Sequence, residues 1–179
     1  NISGWRKIHL RSILESELNV PVYLDNDANA ICLGEYLYGA GKNSNNLVSV
    51  SLGTGIGAGI IIDGKLYRGS SFSAGEIGHI IINENGPKCG CGSFGCLEAY
   101  IGNSAIVKAA NDRFKKKRSK ILNRIVKGSI KNLTPQHLSL AAKEGDPLSI
   151  GIWQDAGRYL GIGLSALVNL LNPDKIVIC

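Results

Sequence analysis

The sequence predicts an α/β fold. Three observations carry that class. Short β-type apolar runs separated by turn residues crowd residues 20 to 82, helical periodicity takes over from Ser104, and a β-α-β alternation stands at each end. Strands early and helices late describe a sheet covered by helices.

The elements follow in order. Ile8 to Leu18 places Ile8, Leu10, Ile13, Leu14 and Leu18 near helical spacing, and Asn19 and Pro21 end it. Val20 to Leu24 reads as a short strand, with Asp25-Asn26-Asp27 at its carboxyl end and a helix over Ala28 to Tyr38. Asn43 to Asn46 is a polar turn and Leu47 to Leu52 a strand, which Gly53 to Gly59 (GTGIGAG) interrupts before Ile60 to Ile62 resumes it. Asp63-Gly64 is a two-residue hairpin turn into Lys65 to Arg68, and Ile80 to Ile82 is a further strand candidate. From Ser104, Ile106, Val107, Ala110 and Phe114 share a helix face, and Ile121, Leu122, Ile125 and Val126 form a second segment. Thr134 and Pro135 mark an N-cap and first position for Leu138 to Glu144. Pro147 opens a long helix through Leu171 that Asn172-Pro173 ends, and Ile176 to Ile178 reads as a buried strand.

At 179 residues and 44% hydrophobic content, the chain is one domain or a large piece of one. No apolar run is long and pure enough to span a bilayer, and no signal peptide is present, so a cytoplasmic location is expected. Both ends look cut, since there is no initiator Met and the last strand leads nowhere, which suggests a fragment of a longer protein. The net charge of +6 owes much to Lys115, Lys116, Lys117 and Arg118, with Arg113 and Lys120 beside them. That run reads as a solvated helix face, with contact to nucleic acid or an acidic partner as the alternative. Glycine is abundant, at 23 residues, and concentrates between Gly53 and Gly102, where turns and close backbone approaches to ligands are expected.

The strongest chemical signal is His79, Cys89, Cys91 and Cys96, one imidazole and three thiols in a glycine-rich window. This is a ligand set for a structural Zn²⁺ of the Cys₃His type, with every coordination position filled by protein. Redox thiols and a disulfide are the competing readings; an odd total of five cysteines and the close Cys89-Gly90-Cys91 spacing argue against a disulfide scaffold. Glu76 and Glu98 flank the cluster, and carboxylates accept paired hydrogen bonds from vicinal sugar hydroxyls. Asp25-Asn26-Asp27 stands where a strand yields to a helix, a place for ligands in open α/β folds. Asp27 fits a general base and Asn26 a polyol ligand, while helix capping is the structural alternative. The loop of Gly53, Thr54, Gly55 and Gly57 has neither a Walker A lysine nor a strand-turn-helix context; its backbone N–H groups could approach phosphates, or it is a plain hairpin.

Taken in order, these motifs resemble the ROK family, which joins bacterial sugar kinases and sugar-responsive transcriptional repressors. The matching pieces are LDNDANA (Leu24 to Ala30), SLGTGIGAGIIIDGKLYRG (Ser51 to Gly69), AGEIGH (Ala74 to His79), CGCGSFGCLE (Cys89 to Glu98) and GRYLGIGLSALVNLLNPDKIVI (Gly157 to Ile178). The resemblance implies an actin-like ATPase (ribonuclease H-like) fold of two lobes. Residues 1–26 would end the first lobe, and residues 27–179 would form an incomplete second lobe carrying a zinc loop at 79–96. It implies that Asp27 is the base, that Asn26, Glu76, His79 and Glu98 hold a sugar, and that Gly53, Thr54, Gly55 and Gly57 approach the phosphates of ATP, with Mg²⁺ neutralising charge. His79 would give one ring nitrogen to zinc and the other to a sugar hydroxyl. The family's Asp-x-Gly-Gly-Thr phosphate loop and its C-terminal adenosine loop are not in this sequence, so the chain alone should not be a competent kinase. The implied activity of the parent is phosphorylation of a hexose or hexosamine, glucokinase-like. The alternative is the sugar-sensing domain of a repressor whose DNA contact lies upstream. A homo-oligomer, dimer or tetramer, and no membrane partner complete the expectation.

Overall fold

The computed structural model describes residues 7–179, so the first six residues of the expected first-lobe segment 1–26 lie outside the described residues. Helix α1 (Leu10–Leu18) closes on Asn19 in a left-handed conformation and buries none of its own residues. Helix α2 (Asp27–Leu37) follows, then strands β1 (Leu47–Leu52), β2 (Ile56–Ile62) and β3 (Lys65–Tyr67). After a 3-10 turn at Ile77–His79 come α3 (Glu98–Ile101), α4 (Asn103–Lys116), α5 (Lys120–Ile125), α6 (Pro135–Lys143), α7 (Pro147–Leu171) and β4 (Lys175–Ile178).

The four strands form a mixed sheet in the order β3-β2-β1-β4. The β1–β2 and β2–β3 pairs are antiparallel, and β4 joins β1 in parallel with Val50 opposite Ile178. The β2–β3 turn has Asp63 at φ 48° and Gly64 at φ 72°, the two positive angles of a type I′ hairpin that the Asp-Gly pair foretold.

Alternation along the strands divides the core between the two sheet faces. Leu47 and Ile61 pack with Cys32 under α2, whereas Val48, Val50, Ile56 and Ala58 pack with Ile77, Leu97, Ile101 and Leu167 on the other face. Helix α2 lies very close to β2: a Cβ on Gly59 would sit 2.2 Å from the Cys32 Cβ, so only glycine fits there. Burial pushes the Cys32 thiol up to about 11, which makes it an inert core group. A second core of Ile106, Ala110, Phe114, Leu122, Leu138 and Ile152 joins α4, α5, α6 and the start of α7. Thr134 caps α6 in a capping box with His137, as the Thr-Pro pair promises, and the structure adds Asp146 as the cap of α7 through Ser149, just before the Pro147 that opens that helix.

Four expectations are corrected. Val20 to Leu24 is no strand, since β structure needs a hydrogen-bonded neighbour and none of the four strands reaches it. The strand after the glycine turn resumes at Ile56, earlier than Ile60, because residues 56–59 pair with β1 despite two glycines. Ile80 to Ile82 yields only an isolated bridge from Ile81 to Cys96, the adjoining residues being coiled into the 3-10 turn. Strand β4 is an edge strand with Ile178 half exposed, so its apolar sequence does not make it a buried one in this chain.

Candidate sugar and phosphate cleft with an adjoining metal site

Two structural features meet at the carboxyl ends of the parallel strands β1 and β4: the N-terminus of α2 and the turn from β1 to β2. In open α/β sheets this is where ligands gather. A polar cleft of about 330 Å³ opens there, lined by Asn26, Asp27, Gly53, Thr54, Gly55, Gly57, Glu76 and Glu98 together with neighbouring backbone. These eight were anticipated from sequence, yet they come from four separate stretches of chain.

The capping question resolves within the triplet. The Asn26 side chain accepts the Ala28 N–H at 2.8 Å and the Asn29 N–H at 3.4 Å, so Asn26 is the cap. Asp27 is the first residue of α2, and its Oδ1 accepts the Ala28 N–H at 2.9 Å. Its other carboxylate oxygen is left for the cleft. Asp25, which sequence reasoning gave no role, fastens the turn. Its Oδ2 accepts from Arg68 Nη2 at 2.6 Å and Nε at 2.8 Å, and its Oδ1 accepts from Asn29 Nδ2 and the Asn26 N–H, each at 2.8 Å. The hydrogen bond from Asn29 first, then those from Arg68 and Asn26, hold the Asp25 carboxyl below its ordinary range. A pairing across 43 residues has no local signal in the sequence.

The opposite wall is built on β2. Gly75, at φ 89°, lets the AGEIGH segment lie against the strand: the Ala58 N–H donates to the Gly75 carbonyl at 2.8 Å, and a Cβ on Gly75 would meet the Ala58 oxygen at 1.9 Å. Glu76 follows at once and is exposed to the cleft. Glu98, at the start of α3, reaches the glycine turn, where its Oε2 accepts the Ile56 N–H at 3.0 Å. The turn is further braced where the Gly53 carbonyl accepts the Asn103 N–H at 3.1 Å. The Thr54 and Gly55 N–H groups take no protein acceptor among the described residues. A nest of this kind suits an anion.

His79, Cys89, Cys91 and Cys96 are brought together, with one donor atom from each lying within 4.8 Å of every other. His79 Nδ1 is 3.7 Å from Cys89 Sγ, and Cys91 Sγ is 3.7 Å from Cys96 Sγ. Tetrahedral zinc with Zn–S near 2.3 Å sets its sulfurs about 3.8 Å apart, so these spacings fit an ion and exclude a disulfide between Cys91 and Cys96. Ser93 first, through its backbone, then the neighbouring thiols, draw the Cys91 thiol down to about 7, while burial and then Cys91 push Cys96 up to about 12. Adjacent sulfurs cannot both be anions without a cation between them, and Zn²⁺ is such a cation. The loop is short-tied at its base, where Leu97 N–H donates to the Ile80 carbonyl at 2.9 Å and Ile82 N–H to the Gly95 carbonyl at 2.9 Å. His79 does not line the cleft of Glu76 and Glu98; it is an exposed residue whose Nδ1 faces the thiols.

A second cavity, about 820 Å³ and mostly apolar, lies beyond the glycine turn between α4, α6 and α7, with Leu52, Asn103, Ile106, Trp153 and Leu160 among its walls. None of the sequence-predicted site residues lines it.

Comparison with known proteins agrees with this architecture. The chain is 40% identical over 176 residues to the xylose repressor of Bacillus spizizenii, covering 98% of this chain and 42% of that protein. It is 38% identical over 176 residues to the glucokinase of Streptomyces coelicolor, covering 97% of this chain and 56% of that protein. Its fold matches the crystal structure of a ROK family glucokinase from Streptomyces griseus in complex with glucose and AMPPNP with a TM-score of 0.89 at 37% identity, covering 98% of this chain and 57% of that one. It also matches a ROK family transcriptional regulator with a TM-score of 0.82 at 33% identity, covering 94% of this chain and 41% of that one. The chain thus spans about half the length of these relatives. The ROK family model matches residues 1–179, so the chain, an α/β fold with a mixed sheet of the actin-like ATPase type, belongs to the ROK family.

Proposed function

We propose that this chain supplies the sugar pocket and catalytic base of an ATP-dependent kinase acting on a hexose or hexosamine. The observation that carries the reading is the convergence of Asn26, Asp27, Glu76 and Glu98 with the glycine turn on one polar cleft. Asp27 takes the proton from a sugar hydroxyl as that oxygen bonds to the γ-phosphorus and the bond to ADP breaks. Asn26 offers its side-chain N–H groups, and Glu76 accepts from sugar hydroxyls. Glu98 divides its carboxylate between the Ile56 N–H and the sugar. His79 gives Nδ1 to the metal; it does not line the cleft, so the sugar contact that the family resemblance implies for its Nε2 would have to be made from outside the cleft's lining. The turn at Gly53, Thr54, Gly55 and Gly57 receives the phosphates, and the apolar cavity beside it has the room and character for the nucleotide base. Mg²⁺, when bound with ATP, neutralises phosphate charge. His79, Cys89, Cys91 and Cys96 would hold Zn²⁺ in a closed set, which leaves the ion a structural role.

The division at residue 26 belongs to the same proposal. Helix α1 buries nothing, and Val20, Tyr23 and Leu24 are exposed, as expected of a segment whose packing partners lie in another lobe.

A second reading is the sugar-sensing domain of a transcriptional repressor, favoured by the 40% identity to a xylose repressor. The cleft would then bind sugar without phosphoryl transfer. The deciding experiment measures ATP turnover by the full-length protein against a panel of hexoses, hexosamines and xylose, beside sugar affinity by calorimetry. Asp27→Asn is expected to keep sugar affinity within a few-fold and to cut turnover by at least about 10². Sugar binding with no sugar-dependent turnover in the unmutated protein would overturn the kinase reading and leave the sensor.

A further inference from the structure

The excess of positive charge on this molecule is concentrated in one stretch of the chain, around α4 and α5. Residues 101–134 hold ten Lys or Arg and the single acid Asp112, a net of +9 against +6 for the whole chain, so everything else sums to −3. All ten cations are exposed. Three are engaged: Arg113 with Asp155, Arg124 with Glu144, and Lys115 with Asp112. The other seven make no ion pair among the described residues, and four of them, Lys116, Lys117, Arg118 and Lys120, fall within five consecutive positions.

Folding does not account for this density. Cations at the end of α4 complement its dipole, which covers Arg113, Lys115 and Lys116. Lys117 and Arg118 lie beyond that helix, and Lys120 opens α5, whose first turn has no acid, at the end where the dipole disfavours a positive charge. Like charges so close repel, and the fold keeps them. Arg118 is held over the Phe114 ring at 5.5 Å, so one of these heads is partly ordered without a carboxylate.

The face also indicates its partner. No large apolar side chain is exposed between Phe94 and Leu140 among the described residues. Protein interfaces are centred on aromatic and apolar anchors and are poor in Lys. A Lys-rich face without such anchors suits a phosphodiester backbone, which is neutralised by point charges and needs no pocket. We propose that the α4–α5 face is a sequence-independent contact for duplex DNA. It is separate from the sugar cleft: none of residues 113–131 lines that cleft, and the inference does not depend on whether the cleft phosphorylates its sugar.

The test is fluorescence anisotropy of a labelled mixed-sequence duplex of about 20 base pairs titrated with this chain across a salt series. Neutralisation of about four phosphates gives a log–log salt slope of roughly −3 to −4, or about a hundredfold weaker binding at about 200 mM than at about 50 mM salt. The triple variant Lys117→Gln, Arg118→Gln, Lys120→Gln is expected to lose at least tenfold in affinity and to flatten the slope by about 3, one unit per lost contact. A matched triple at Lys7, Lys42 and Lys65 should bind as the unmutated chain does. Both triples alter exposed side chains, and equal unfolding temperatures confirm that they compare like with like. Absence of binding at the lowest salt, equal loss in both triples, or tighter binding to poly-glutamate of equal charge than to the duplex would each overturn the proposal, the last in favour of an acidic protein.

Discussion

Replacing Glu98 by alanine separates two roles that the structure gives one side chain. Glu98 stands two residues after Cys96, and its Oε2 accepts the N–H of Ile56, a residue only 3% exposed. The substitution removes a charged acceptor and leaves a buried N–H unpaired. Hydrogen bonds to charged groups contribute about 1.5–3 kcal/mol, and the partial exposure of Glu98 puts this one at the lower end, about 1.5–2 kcal/mol. In a domain of this size each kcal/mol moves the unfolding midpoint by about 2–4 °C, so a fall of about 3–8 °C is expected. Glu98→Gln keeps an oxygen acceptor without charge and should lose about half as much. Calorimetric unfolding at fixed metal content reads the global effect, and hydrogen exchange at the Ile56 amide reads the local one. If Glu98→Ala leaves the midpoint within about 1 °C of the unmutated chain and the Ile56 amide equally protected, the contact does not brace the turn. Glu98 would then serve the cleft alone.

Two further outcomes follow from the same geometry. Metal analysis of protein purified without a metal-affinity step should find about one zinc per chain; chelation should release it, expose three thiols to a thiol reagent and weaken sugar binding, and zinc-free protein with unchanged sugar affinity would refute the scaffold role. The depressed Asp25 carboxyl predicts a pH-dependent contribution to stability: it is present above the ordinary Asp value of 3.8 and is lost as pH falls through the lower folded value. Unfolding midpoints of Asp25→Asn and the unmutated chain should therefore differ near pH 6 and converge as the carboxyl becomes protonated below 3.8, and a gap that persists once it is protonated would show that the ionised Asp25, held by Asn29 and Arg68, is not its source.

What could be read without coordinates was whatever depends on short separations. The four metal ligands fall within 18 residues, and the geometry of a small ion leaves few other uses for three thiols and an imidazole so close together. The Asp63-Gly64 hairpin, the helix starts at Thr134-Pro135 and Pro147 and the long α7 are likewise local, since each is decided by backbone preferences of adjacent residues. Tertiary structure decided the rest. Val20 to Leu24 has strand-type residues and no strand beside it, and Ile176 to Ile178 has a buried-type sequence on a sheet edge, because pairing and burial belong to neighbours far along the chain. The Arg68–Asp25 pair and the Glu98–Ile56 contact close over 43 and 42 residues, so no spacing rule could announce them. The sequence by itself therefore determined which chemical groups this protein carries and the order in which they come. Only the folded chain determined which of those groups face one cleft, because a cleft is made of contacts whose separation in sequence is long.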